Sequence, residues 1–204
     1  MDVIEAILNR KSIRYFKPYT IPEEEVKLLL ECTRFAPSGG NRQPWEFLVV
    51  DNQEDISQIY DYGWTAYGGG SNVCRFGEAS LLVFFLGGAQ CFLAAENLAL
   101  AAYGLGYGSC MIGAFDREKT RALLDIPEKK RIQLFVVVGV ADEERSNKAQ
   151  FTAANKPLVE VLPYPPQARK PLEDIVHHGR YGTPFAELEP GMTRAKVVGG
   201  FKSS

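Results

Sequence analysis

Two nearly unbroken apolar runs, Ser80 to Leu86 and Ile132 to Ala141, bracket a helical stretch from Ala89 to Tyr103 that has no polar face. Strands that are apolar on both sides belong in the middle of a covered sheet. A helix that is apolar all round must be covered too, by the core or by a partner subunit. Its alanines (Ala94, Ala95, Ala99, Ala101 and Ala102) allow another helix to come close. Glu46 to Val50, a short apolar run between turn signals, reads as a further strand. The expected architecture is α+β, a mixed sheet around a central buried helix.

Local signals place the remaining elements. The first helix is expected from Val3 to Arg10, with Val3, Ile4, Ile7 and Leu8 on one face and Asp2 with Glu5 resembling a capping box. A second opens at Pro22, carries Glu23, Glu24 and Glu25 in its first turn, and must stop before Pro37. Its apolar face holds Val26, Leu29, Leu30 and Thr33. Asp116 is expected to cap a helix reaching Leu124. Another is expected over Leu172 to His177, with Pro171 at its start and Gly179 just past its end. The polar stretch 142–170 shows no clear period, and residues 182–204 form a tail that either frays or packs on another subunit. A length of 204 residues suits one domain spanning 1–204.

Several function classes are disfavoured. A net charge of −2 offers no global basic field for nucleic acid or an anionic membrane. The longest apolar stretch, Cys91 to Leu105, contains Glu96 and Asn97 and is too short and polar to span a bilayer. The start, MDVIEAILNRKS, lacks the basic-then-apolar order of a signal peptide. Cys32, Cys74, Cys91 and Cys110 are spread without metal-site spacing and read as reduced core thiols of a cytoplasmic protein. The two histidines, His177 and His178, sit together at an expected helix end, which disfavours a His-based hydrolase and any metal centre.

Two clusters carry candidate chemistry. In Arg10-Lys11-Ser12-Ile13-Arg14, three cations and a hydroxyl follow a helix end, where an anion is disfavoured unless side chains supply the positive charge. Arginine forks and a serine hydroxyl suit a phosphate. A solvated basic patch is the competing reading. In Ala36-Pro37-Ser38-Gly39-Gly40-Asn41-Arg42-Gln43-Pro44-Trp45, prolines, glycines and polar tips make a stiff loop running into a strand, suited either to binding or to a plain turn plugged by Trp45. Gly104-x-Gly106-x-Gly108 follows a helix and precedes a strand, the wrong order for a dinucleotide loop. Tyr67 to Ser71 reads as a mobile active-site loop or a plain flexible one. Tyr60, Tyr62, Trp64, Tyr67, Phe76 and Phe115 suit pocket walls or, for most of them, ordinary packing.

The motifs R-K-S-I-R-Y-F and A-P-S-G-G-N-R-Q-P-W-E-F, at this spacing, resemble the nitroreductase family of flavoproteins. So do Ala95-Glu96-Asn97-Leu98-Ala99 through Gly104-Leu105-Gly106-Tyr107-Gly108-Ser109-Cys110, and Lys170-Pro171-Leu172 through Gly179-Arg180-Tyr181-Gly182. The likeness runs from about residue 3 to 182, in the family's order.

That resemblance implies a nitroreductase-like α+β fold, with a central mixed, mostly antiparallel sheet flanked by helices. It implies a homodimer with FMN at the subunit interface. Arg10, Ser12, Arg14 and Arg180 would bind the FMN phosphate, with Lys11 beside the ring or ribityl chain. Pro37, Ser38 and Asn41 would come from the partner subunit to the isoalloxazine. Asn72 and Arg75 would lie near the flavin pyrimidine, where a cation suits the charge of the reduced ring. Met111, Ile112, Gly113 and Ala114 would line the ring, with a main-chain amide at Gly113 or Ala114 facing N5. Some members carry Glu at the position of Gly113.

The implied activity moves electrons from NADH or NADPH through flavin N5 to a small acceptor such as a nitroaromatic or quinone. No protein nucleophile is needed, and none stands out. The alternatives are a specialised member of the superfamily (a dehalogenase, an enoate or azole dehydrogenase, or a flavin-fragmenting enzyme) and a non-catalytic FMN-binding redox module.

Overall fold

A computed structural model describes residues 2–62, 76, 78–148, 152–153, 156–157, 169–170 and 174–183. In chain order its elements are α1 (Val3–Asn9), β1 (Phe16–Lys17), α2 (Glu23–Arg34), β2 (Trp45–Val50), α3 (Gln53–Asp61), β3 (Leu81–Gly87), α4 (Cys91–Gly104), β4 (Gly108–Ile112), α5 (Arg117–Leu123), β5 (Ile132–Ala141) and α6 (Glu143–Lys148). A short pair, β6 (Thr152–Ala153) and β7 (Lys156–Pro157), follows.

β5 organises the sheet. β3 runs antiparallel along one edge of it, and β2 lies antiparallel beyond β3. The other edge is shared: β4 pairs with Phe135 to Gly139, and β1 pairs with Val140 and Ala141. These pairings are antiparallel, and an isolated parallel bridge joins Ser12 to Ser109. The α+β, mostly antiparallel sheet expected from the sequence is thus the observed architecture.

The strand period of two splits β3 and β5 between two cores. Leu82, Phe84, Phe135 and Val137 face one side, where Ile56 and Ile59 of α3 close over them. Leu81, Val83, Phe85, Leu134 and Val136 face the other, against Leu29 of α2 and Ala94, Ala95 and Leu98 of α4. Of α4, Cys91, Ala94, Ala95, Leu98, Ala99 and Ala102 are buried, while Phe92 and Leu93 remain 52% and 47% exposed. The chain's own core therefore covers one side of this apolar helix and leaves another bare.

Several expectations need adjustment. α1 ends at Asn9, with Arg10 as its C-cap, and Asp2 accepts from the Ile4 amide at 3.3 Å. The shared apolar face of α1 is largely open: Ala6 is buried, whereas Val3 and Ile7 are 62% and 51% exposed. Pro22 is the N-cap of α2 rather than its first residue. α3 and α6 had no expected counterpart. Asn52 caps α3 by accepting from the Glu54 and Asp55 amides at 2.8 and 3.4 Å. Of the helix expected over Leu172 to His177, only 174–177 is described, and it forms a turn. Cys91 and Cys110 are buried as expected, but Cys32 is only half-buried, and Cys74 lies outside the described residues.

Candidate active site

The basic cluster begins where α1 stops. The Arg10 amide closes the helix by donating to Ala6 O at 2.9 Å, and its extended backbone turns the chain toward the sheet edge. There Ser12 bridges Ser109, and the Ile13 amide donates to Ser109 O at 2.9 Å. Ile13 is buried and anchors the turn, while Arg10, Lys11, Ser12 and Arg14 stay half-buried around it. One apolar residue thus pins a polar turn to the first residues of β4.

Residues distant in sequence hold the cations in place. Arg10 Nε lies 3.3 Å from Glu96 Oε1 of α4, yet this buried nitrogen makes no hydrogen bond. Its charge is balanced while its donor capacity is open, which fits a site built for an anion. Lys11 Nζ donates to Glu143 Oε2 of α6 at 3.0 Å. Arg14 Nη1 donates to Ser12 O at 3.3 Å. The Arg14 and Tyr15 amides reach Ser146 Oγ, also of α6, at 3.4 and 3.1 Å. Glu96, Glu143 and Ser146 were not singled out from the sequence, because nothing local marks them.

β4 leads from this turn to the second half of the site. Gly113 lies four residue steps beyond Ser109, about 13 Å at the rise of a strand. An extended ribityl phosphate, seven bonds from the ring nitrogen to the phosphorus, fits within that length. Met111 is half-buried against the α4 side, and Ile112 points into the opposite core, 8% exposed, which leaves its backbone for the site. Gly113 is exposed, and a Cβ built on it would meet no atom within 4 Å. A basic turn and an open, side-chain-free strand end, spaced in this way, fit FMN.

Arg117, the first residue of α5, ties that strand end down. Its Nη2 donates to Gly113 O at 2.7 Å and to Gln133 O at 3.1 Å, and its Nε donates to Ile132 O at 3.1 Å. The guanidinium carbon lies 4.7 Å from the Phe115 ring centroid. Next to it Asp116 caps α5, accepting from the Lys119 amide at 3.0 Å, and this bond holds its carboxyl below the usual carboxylate range. Arg117 was also missed in the sequence, although it follows an expected helix cap.

The loop at 37–44 takes an unusual path. Gly40, Asn41 and Gln43 have φ values of 61°, 52° and 46°. Two of these residues are not glycine, and each costs on the order of 1–2 kcal/mol in that region. Ser38 Oγ holds the strained turn by accepting from the Gln43 amide at 2.9 Å, and Gln43 Nε2 donates to Asn41 Oδ1 at 3.2 Å. Pro37 and Asn41 are exposed at its rim.

The loop feeds β2, at the far edge of the sheet from β4. With β3 and β5 between them, the two edges are about 14 Å apart at ordinary strand spacing. The fold therefore gathers Arg10, Lys11, Ser12, Arg14, Met111 and Gly113 along one edge and sets Pro37, Ser38 and Asn41 on the other. Arg180 is exposed in the turn 174–183. Asn72, Arg75, Trp64, Tyr67 and the stretch 67–71 lie outside the described residues. Tyr60, Phe76 and Phe115 pack into one aromatic cluster around Phe135, with centroid separations of 5.0–5.5 Å, so ordinary packing describes them. Among the described residues, no group of His, Cys, Asp and Glu could hold a metal ion, and no helix is long and apolar enough to cross a membrane.

Comparison with known proteins agrees with this geometry. The sequence model of the nitroreductase family matches residues 7–67 and 86–140, which include the basic turn, the strained loop and β4. The chain is 31% identical, over 71% of its length and 88% of the relative's, to an Archaeoglobus fulgidus protein provisionally named NADH dehydrogenase/NAD(P)H nitroreductase. Among solved structures it resembles an FMN-dependent nitroreductase from Clostridium difficile, with 28% identity, a TM-score of 0.59 and coverage of 69% of this chain and 91% of the other. It also resembles iodotyrosine deiodinase bound to FMN and 3-iodo-L-tyrosine, with 25% identity, a TM-score of 0.61 and coverage of 70% and 91%. Because the family's pattern spans more than half of this chain, and relatives and fold agree with it, the chain belongs to the nitroreductase family.

Proposed function

We propose that this chain is an FMN-dependent oxidoreductase that draws electrons from NADH or NADPH and delivers them to a small acceptor such as a nitroaromatic or a quinone. The observation that carries this reading is the Ser12–Ser109 bridge, which sets the basic turn about 13 Å along β4 from the open backbone at Gly113. The FMN-dependent nitroreductase and the FMN-bound deiodinase among its structural relatives support it.

FMN, once bound, supplies the redox chemistry. The chain's own residues then have positioning and electrostatic work. Arg10, Ser12 and Arg14 offer charge-assisted donors to the phosphate, joined by Arg180, and Lys11 stands beside them toward the ribityl chain. Met111 with the backbone of Ile112, Gly113 and Ala114 forms one wall of the ring site. Asn72 and Arg75 are assigned to the pyrimidine edge by family likeness alone.

Pro37, Ser38 and Asn41 are assigned to the opposite wall, contributed by a second copy of the chain. Two observations support the homodimer. The sheet keeps this loop on the edge away from β4, so one chain does not bring the two walls together. Phe35 at the end of α2 and Phe92 and Leu93 on α4 expose 70%, 52% and 47% of their surface, the kind of apolar surface that marks an interface.

The deciding experiment is an anaerobic absorbance spectrum of the purified protein before and after NADH or NADPH is added. A two-banded yellow spectrum that bleaches is the expected result. A yellow protein that stays yellow shifts the reading to a specialised or non-catalytic flavoprotein. A protein that cannot be loaded with FMN overturns the proposal.

A further inference from the structure

The structure assigns Arg117 as the residue that aims the Ala114 amide at the flavin N5 site. This inference rests on the FMN reading above. Gly113 O accepts from Arg117 Nη2 at 2.7 Å, so it faces the α5 side. A trans peptide is planar, with its C=O and the following N–H on opposite edges, and no described peptide is cis. The Ala114 N–H must therefore leave away from Arg117. Among the described residues it finds no backbone acceptor. Gly113, with open space where a Cβ would be, lies exposed beside it. Of the two amides that family likeness offered, Ala114 is the one whose direction the Arg117 contact fixes.

The clamp is rigid for identifiable reasons. The same guanidinium holds Ile132 O and Gln133 O at 3.1 Å each and lies 4.7 Å from the Phe115 ring centroid. Gln133 is itself buried, and its Nε2 donates to Gly87 O at 2.6 Å. Gly88 in turn donates to Pro44 O at 3.1 Å. The peptide at 113–114 is thus braced by a planar, multi-donor fork against the start of β5. A lysine cannot reproduce that fork, because its single ammonium cannot reach three carbonyls in one plane. Arg117 touches neither cofactor nor substrate in this scheme and is a positioning residue. A preorganised amide is effective because it need not reorient during the reaction.

The test compares wild type with Arg117→Ala and Arg117→Lys, each loaded with FMN carrying a nitrogen isotope label at N5. NMR reads the hydrogen bond at N5 directly, and amide exchange at Ala114 in the unloaded proteins reads the peptide's order. In the variants, the N5 signal is expected to move toward its value in aprotic solvent and Ala114 exchange to speed up. FMN affinity is expected to stay within a few-fold, because the phosphate contacts are intact. Reduction by NADH or NADPH is expected to slow about tenfold or more. If Arg117→Ala fails to fold, Arg117→Lys decides. An N5 signal and Ala114 exchange equal to wild type in a folded, FMN-loaded variant overturn the assignment. A wild-type protein that binds no FMN overturns the flavin reading beneath it instead.

Discussion

Gly108 and Ile13 approach so closely that a Cβ on Gly108 would lie 2.8 Å from Ile13 Cγ1 and 2.9 Å from its Cβ. The neighbouring atoms belong to a β-branched stem, which cannot swing aside as the end of a long side chain could. This contact seats the basic turn on β4. Gly108→Ala should cost about 1–3 kcal/mol of stability, the range for overpacking, and should weaken FMN binding in the same step. Gly104→Ala is the control, because a Cβ there meets nothing within 4 Å. Thermal melts of the unloaded proteins and FMN titrations measure both effects.

Gly87 offers a test of the strained loop. Its φ of 143° and a Cβ position only 2.2 Å from Pro44 O leave no room for a side chain. Gly87→Ala should lose at least about 2 kcal/mol, combining backbone strain and a backbone clash. Because Pro44 must move, the 37–41 segment moves with it. Denaturant unfolding gives the energy, and light scattering shows whether the proposed dimer weakens too. Stability equal to wild type would mean that the close approach to Pro44 O is not as described.

Arg14→Ala should weaken FMN binding roughly ten- to a hundredfold, the loss expected when one charge-assisted phosphate contact is removed. Riboflavin, which lacks the phosphate, should bind the variant and wild type alike. Equal retention of FMN by both proteins would reduce the basic turn to a surface patch.

The Asp116 cap predicts a pH dependence. Its folded carboxyl titrates below the unfolded value, chiefly because the Lys119 amide donates to it. Its contribution is therefore fully present above the unfolded carboxylate value and is lost as pH falls through the depressed folded one. Asp116→Ala should be less stable than wild type near neutral pH, with the gap closing in acid. Unfolding curves at a series of pH values measure this, and a gap that widens on acidification contradicts it.

Much of the fold was legible because its signals are local. β5 falls where its apolar run lies, from Ile132 to Ala141, and β3 and α4 shift by one or two residues. The cap at Asp116 was likewise visible. For α1 the spacing of Val3 and Ile7 shows that they share a side, not what that side meets, and both stay exposed. α6 was missed because its short polar segment, EERSNK, carries no apolar period.

The amino-acid sequence by itself determined the secondary elements with strong periods, the family, and the two clusters of candidate binding residues, since each of these depends on residues close together in the chain. Tertiary structure decided which of those residues meet. It placed Ser12 against Ser109, set Glu143 against Lys11 across 132 residues, and turned the Gly113 carbonyl to Arg117. It also put the 37–44 loop on the opposite sheet edge. Contacts of that kind depend on strand pairing and helix packing between distant segments, and no local spacing encodes them.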